Sequence, residues 1–373
     1  MPDLDLSGAE LKEMLRVAGH KLGGFLDSLP QQPLSRLDGS ARLARRMDEP
    51  CPQHGQPFPR LLAQLLDQVT PISLNTASGG YLAFIPGGGL PQAAVADLVT
   101  GVVNRFTGLW MPAPGWVQLE TSVLKWMCGW VGYGTESGGC LTSGGSQATV
   151  NALVAAREAG FRRVYVSSLT HHCVAKAARV VGLPVLELPL GADLKLHPEV
   201  VPAEPGVLVA SAGSTAVGAV DPLSALADRA ERDGHWLHVD GAYGGCFVLT
   251  ERGRALLEGM ERADSIVLDP HKGLFLPYGT GALLVKDRRR LLEAFSVEAS
   301  YLPEPNADQD RWDFANLTGE LSRPSRGLRV WLPLKMHGVG AFQRALDAKL
   351  DLAHRAASAI ASLPFVRLVT PSE

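Results

Sequence analysis

The 373-residue chain is expected to fold as an α/β protein around a largely parallel, doubly wound sheet. Three observations lead there. From Thr142 onward, short apolar or β-branched runs alternate with helical patterns, as parallel strands joined by crossover helices do. Forty glycines and 26 prolines supply the many turns such alternation needs. Apolar content of 46% against 20% charged residues is that of a globular protein with a large core.

The elements follow in order. Residues 5–29 set apolar side chains at helical spacing. Pro30–Arg60, rich in Pro, Gln and Arg, lacks a period and reads as an extended arm. Leu61–Val69 resumes a helix, and Asn75–Leu90 is a glycine-rich loop carrying Tyr81 and Phe84. Leu90–Met111, with Pro91 at a favourable early position, and Leu119–Trp130 read as two helices. Then come helix Ala148–Glu158, strand Arg163–Ser167, helix Val174–Val181, strand Pro184–Leu188, strand Gly206–Ser211 and helix Pro222–Asp233. Strands Trp236–Asp240, Ser265–Asp269 and Gly281–Val285 complete the alternation. Gly327–Leu363 is a long amphipathic helix, broken near Pro333 and the Gly338/Gly340 pair, and Phe365–Thr370 has the pattern of a strand.

Several classes of function are excluded. A net charge of −3 makes no case for nucleic acid, and Arg288–Arg290 is a solvated helix start. No run of 18 apolar residues exists, and the acidic Met-Pro-Asp-Leu-Asp start has no signal core, so a cytoplasmic protein with no membrane span is expected. Cys51, Cys128, Cys140, Cys173 and Cys246 are odd in number and without CxxC spacing. They read as free thiols in a reducing cytosol rather than as a disulfide framework or a metal site.

In doubly wound sheets, ligands bind beyond the carboxyl ends of the strands. Ser211–Thr215, Asp240 and His271-Lys272 all lie at such ends. One strand ending in a lysine beside one ending in an aspartate is the pairing that pyridoxal phosphate (PLP) requires. The lysine amine forms a Schiff base with the aldehyde, and the aspartate keeps the pyridine nitrogen protonated so that the ring accepts electrons. The lysine must be partly desolvated to be a neutral nucleophile. Taken singly, such a lysine is usually a solvated strand end and such an aspartate a turn or cap residue. Leu141–Thr149 joins an apolar run to a helix through Ser143, Gly144, Gly145 and Ser146. A helix N-terminus with close-approach glycines and hydroxyl donors is a phosphate cup, although a glycine-rich turn with a serine cap would look the same. It has neither the Walker lysine nor the G-x-G-x-x-G spacing. His171, in Thr170-His171-His172-Cys173, could stack on a planar ring; a zinc pair with His172 would need a third ligand that the sequence does not place nearby.

As an ordered set, Thr142-Ser-Gly-Gly-Ser-Gln-Ala148, His238-Val-Asp-Gly-Ala-Tyr-Gly-Gly245 and Asp269-Pro-His-Lys272 resemble the group II PLP-dependent amino-acid decarboxylases, the family of the aromatic-L-amino-acid, histidine and glutamate decarboxylases. Leu119-Glu120 and Ser322–Trp331 support the likeness, which runs from about residue 61 to the end. The resemblance implies the PLP-dependent transferase fold type I and a homodimer. It implies residues 1–75 as a helical and extended dimerisation arm and 76–340 as the cofactor-binding large domain. Residues 341–373 would be a linking helix and the start of an incomplete, truncated C-terminal small domain. It implies Lys272 as the Schiff-base lysine, Asp240 as the pyridinium partner, and His171 and Ala242 on opposite ring faces. The phosphate would lie with Ser146, Gly144 and Gly145, near His271 and Asp269, with Ser214 and Thr215 as a hydroxyl pair. Tyr301 would be the loop tyrosine that protonates Cα, where aldehyde-forming relatives carry phenylalanine.

Departures are Asp269 in place of a common asparagine, and Gly241 and Tyr243 in place of Ala and Trp. The expected activity is decarboxylation of an L-amino acid to its amine and carbon dioxide. The rivals are decarboxylative deamination or transamination to an aldehyde, and a non-catalytic paralogue, against which the intact Lys272, Asp240 and His171 argue. Tyr81, Phe84, Trp110 and Trp116 suit an aromatic substrate pocket and, equally, ordinary packing.

Overall fold

The computed structural model describes residues 4–85, 89–296 and 311–372. The chain divides into two compact units, Met1–Gly88 and Gly89–Glu373. In the first, helix Gly8–Ser28 opens on a capping box. The Glu10 N–H donates to Ser7 Oγ at 3.2 Å, and the Ser7 N–H donates to Glu10 Oε2 at 2.8 Å. Within Pro30–Arg60 the chain is not wholly extended: Ser40–Met47 is a short helix. Its Ala, Leu, Arg and Met are good helix formers, but two turns are too few to show a period.

The second unit is built on a seven-stranded sheet. The strands are β1 (Gly138–Thr142), β2 (Val164–Ser167), β3 (Val185–Leu188), β4 (Val207–Ser211), β5 (Trp236–Gly241), β6 (Ser265–Leu268) and β7 (Gly281–Val285), in the order β1-β7-β6-β5-β4-β2-β3. From β3 through β6 neighbours run parallel; β7 is antiparallel to both β6 and β1. Strands β1, β2, β4, β6 and β7 are buried along their whole length, which is why they read as unbroken apolar runs without alternation. Edge strand β3 leaves Val185 and Leu186 exposed.

Several boundaries differ from those expected, among them the helix expected from Leu119, which starts at Pro114. The helix opened by Pro91 ends at Val103, where Asn104 takes the left-handed conformation (φ 45°) that favours asparagine at a helix C-terminus. Helix Gly327–His337 runs through Pro333 and breaks only at Gly338, before Val339–Ala361. Pro333 is buried, and its helix packs on Pro91–Val103 and Pro114–Trp130, so tertiary burial outweighs one missing hydrogen bond. Phe365–Thr370 forms turns and bends, not a strand, and Phe365 is exposed. An apolar run needs a neighbouring strand to become one.

Candidate active site

Parallel pairing sets Asp240 opposite Val267 and Gly241 opposite Leu268, so β5 and β6 end level. Past β6 the chain does not carry Lys272 on the strand itself, as the sequence suggests. Asp269 leads into a single helical turn, Pro270–Gly273, with Pro at its first position. The Lys272 N–H donates to the Asp269 carbonyl at 2.7 Å, which closes the turn just past the end of β6. Its Nζ lies 3.1 Å from Asp269 Oδ2, and His271 Nε2 lies 3.7 Å from the same oxygen. His271 Nδ1 is 2.6 Å from the Thr280 carbonyl. A carbonyl only accepts, so Nδ1 carries the proton and Nε2 is free to accept.

Beside these ends, β1 delivers Gly144 at φ 155° and ψ 172°, a conformation essentially confined to glycine. Helix Gly145–Glu158 starts there, and its first return bond is Gln147 N–H to the Gly144 carbonyl at 3.0 Å. The N–H groups of Gly145 and Ser146 precede that bond and face outward with the positive end of the helix. A Cβ on Gly145 would lie 3.0 Å from Asp269 Oδ2 and 3.3 Å from the Ala242 Cβ. Ser143 and Ser146 are exposed at the rim.

His171 is half-buried, and its Nδ1 accepts the Cys173 N–H at 3.2 Å, so the neutral ring carries its proton on Nε2. Burial pushes its pKa below the usual histidine range, a shift opposed by the nearby Asp240 carboxylate. The charges of Asp240, Lys272 and Asp269 all reach this ring. His172, tilted 40° with its ring centroid 4.2 Å away, is exposed. The structure therefore brings His171, Asp240, Ala242, Asp269, His271, Lys272 and the Gly144-Gly145 turn together. Ser214 is buried with Oγ unpartnered, and Thr215 is exposed, both on the loop after β4. Tyr301 lies outside the described residues. Trp110 packs on the core with the Arg311 guanidinium 4.8 Å over its ring.

Two supports have roles that sequence reasoning does not assign. Arg323, buried with its partner Glu120 at 2.5 Å, donates to the Leu141 carbonyl at 3.1 Å, where Arg326 also donates at 3.3 Å. These two arginines anchor the strand that feeds the glycine turn. Asp221 Oδ2 accepts the Ser211 N–H at 2.7 Å, and its Oδ1 accepts the Leu196 N–H at 2.8 Å, bracing the end of β4. Asp221 lies in no motif, and although Glu120, Arg323 and Arg326 fall in segments that carry the family likeness, their pairing joins residues distant in sequence, which local spacing does not show.

Two buried groups titrate with opposite effect. Burial raises Asp221 to about 6, so the folded state holds its proton more tightly and stability falls as pH climbs from 3.8 to 6. Burial lowers His238 to about 4, so the unfolded chain takes the proton first and stability rises as pH climbs from 4 to 6.5. In the native protein the two effects oppose each other. Asp221→Asn removes one of them. Its unfolding free energy should then rise with pH between 4 and 6 more steeply than that of the wild type, as read by urea titrations. Parallel curves would refute the balance.

The residues present fit PLP. The glycine turn is a cradle that a single Cβ would fill, and the buried Ser214 Oγ lacks a partner that a bound polar group would supply. No helix among the described residues is long and apolar enough to cross a membrane.

The pyridoxal-dependent decarboxylase conserved domain matches residues 41–372. An aromatic-L-amino-acid decarboxylase of Bacillus atrophaeus is 31% identical over 391 residues, covering 100% of this chain and 82% of that protein. The crystal structure of Oryza sativa TDC with PLP and tryptamine superposes with a TM-score of 0.91 at 26% identity, covering 99% of this chain and 82% of that one. Rhodiola rosea 4-hydroxyphenylacetaldehyde synthase reaches 0.89 at 21% identity, over 99% and 83% of the two chains, a likeness of fold alone. Because the family match spans the glycine turn, both strand ends and the buried arginines alike, this chain belongs to the pyridoxal-dependent decarboxylase family and is a PLP-dependent carboxy-lyase of fold type I.

Proposed function

We propose that the protein decarboxylates an aromatic L-amino acid to the corresponding amine and carbon dioxide, with Lys272 as the amine that carries the cofactor. The observation that carries this is the level ending of parallel strands β5 and β6, which sets Asp240 and the Lys272 turn side by side next to the Gly144-Gly145 helix start. The aromatic preference rests on the named activity of the Bacillus atrophaeus relative. Bound PLP supplies the electron sink for the Cα–carboxylate bond.

The chain's own residues have distinct tasks. Asp240 would face the pyridine nitrogen and hold a proton there. His171, whose ring burial biases toward the neutral form, would stack on one ring face of the cofactor, with Ala242 under the other. Ser143, Ser146 and the first N–H groups of the helix bind the phosphate, with His271 alongside and Ser214 and Thr215 on the opposite loop. Tyr301 delivers the proton to Cα. The active form is a homodimer with residues 1–75 as its arm, 76–340 as the cofactor-binding domain and 341–373 as the link to a small domain. The exposed stripe Val95, Leu98, Val99 and Val102 on one helix supports such pairing, and light scattering should show a dimer. A cytoplasmic setting suits the five free thiols.

Holoprotein incubated with a panel of L-amino acids should release amine and carbon dioxide in equal amounts, fastest with aromatic substrates. Tyr301→Phe should divert product to aldehyde and ammonia. Aldehyde from the wild type would replace this reading with its oxidative rival, and no product from any amino acid would leave a non-catalytic role.

A further inference from the structure

Asp269 is a buried carboxylate in an unusual position. It is 2% exposed, its Oδ1 has no hydrogen-bond partner, and Oδ2 meets Lys272 Nζ at 3.1 Å. It also sits beside the start of helix Gly145–Glu158, within 3.3 Å of where a Gly145 Cβ would stand, in the space proposed for the phosphate. The titratable groups that its charge reaches among the described residues include Lys272 and His271 from its own turn, Asp240 from β5, His171 from the segment after β2 and the Cys246 thiol. Lys272 is the cation that lies against it, with Nζ 3.1 Å from Oδ2. Burial already pushes its pKa up, and the Cys246 thiol, raised to about 12, stays neutral. Two difficulties therefore meet when the cofactor arrives. A phosphate would add negative charge next to a buried anion, and Lys272 must lose a proton before its amine can attack an aldehyde.

One proton transfer removes both. Building on the assignment of Lys272 as the cofactor-bearing amine, we propose that Asp269 is the base that takes the Lys272 proton as the cofactor loads, then remains a neutral acid beside the phosphate. The proton moves from Nζ to Oδ2, giving a neutral amine and a neutral carboxyl. The amine condenses with the PLP aldehyde, a C=N bond replaces C=O, and the oxygen leaves as water. The carboxyl O–H is then a donor for a phosphate oxygen, where a carboxylate would repel it. Asp269 is thus a loading residue, distinct from the groups that act on substrate.

The test follows covalent loading of the full-length apoprotein by stopped-flow absorbance, across pH, for the wild type and Asp269→Asn. With an internal base, the wild-type rate should be nearly flat between about pH 7 and 9, whereas a lysine deprotonated only by solvent gains about tenfold per unit below its ordinary pKa. Asp269→Asn should load at least ~10-fold more slowly at neutral pH, the loss typical of a missing general base, and recover as pH rises. Pyridoxine 5′-phosphate, which has no aldehyde, should bind the variant as tightly as the wild type or more so. A wild-type rate that climbs tenfold per unit overturns the proposal even if the variant fails to fold, as does a variant that loads at the wild-type rate at pH 7. Borohydride fixation followed by peptide mapping separates the two levels: a label on another lysine overturns the Lys272 assignment itself, whereas a label on Lys272 with solvent-like kinetics overturns only the role of Asp269.

Discussion

Lys272→Ala should eliminate borohydride-fixed cofactor and lower amine formation by ~10³-fold or more, the scale seen when a covalent catalytic group is removed. The fold should survive. The lysine side chain is about a quarter exposed and contributes little packing, so the main structural consequence is a buried Asp269 without its cation. Breaking a buried pair costs about 3–5 kcal/mol when the remaining charge must stay ionised. Asp269 is already biased toward its neutral form by burial, and it can protonate instead. A small stability loss with complete loss of turnover is the signature expected from thermal melts and amine assays on the same preparation. If turnover stays within tenfold of the wild type, Lys272 is a solvated turn residue and the chemistry must be sought elsewhere.

The largest stability effect should come from Arg323→Met. Both side chains of the Arg323–Glu120 pair are fully buried, the guanidinium lies 4.7 Å over the Phe314 ring, and Arg323 also holds the Leu141 carbonyl. Methionine fills much of the volume but strands the Glu120 carboxylate, at a cost of about 3–5 kcal/mol. For domains of about 150–250 residues each kcal/mol moves the melting temperature by about 2–4 °C, so a drop of ~10 °C is expected by calorimetry for the somewhat larger unit Gly89–Glu373. Cofactor affinity should fall too, since Leu141 directly precedes Thr142 and the glycine turn. The double variant Glu120→Leu/Arg323→Met removes both charges and should recover most of the loss. A single variant within about 0.5 kcal/mol of the wild type would show that the pair is not holding β1.

Most of the architecture was legible because its signals are local. Strands β2, β4, β5, β6 and β7 fall within a residue or so of their apolar runs, since a strand buried on both faces must be apolar throughout. The glycine turn announces itself because only glycine adopts the Gly144 conformation at a helix start that must face an anion. What sequence alone determined, then, is the α/β class, the parallel core of the sheet, and the residue types needed for PLP chemistry at the strand ends, all of which follow from periodicity and from motifs a few residues long. What only the tertiary structure decided rests on long-range pairing. The antiparallel insertion of β7 between β1 and β6, the passage of a helix through Pro333, the absence of a strand at Phe365–Thr370, and the buried Arg323–Glu120 and Asp221 braces each depend on a partner far away in the chain. A strand needs a neighbour, a buried charge needs its counterion, and an interrupted helix needs a surface to pack on. Those requirements are met by residues that come together only when the whole sheet closes, so no local pattern can announce them.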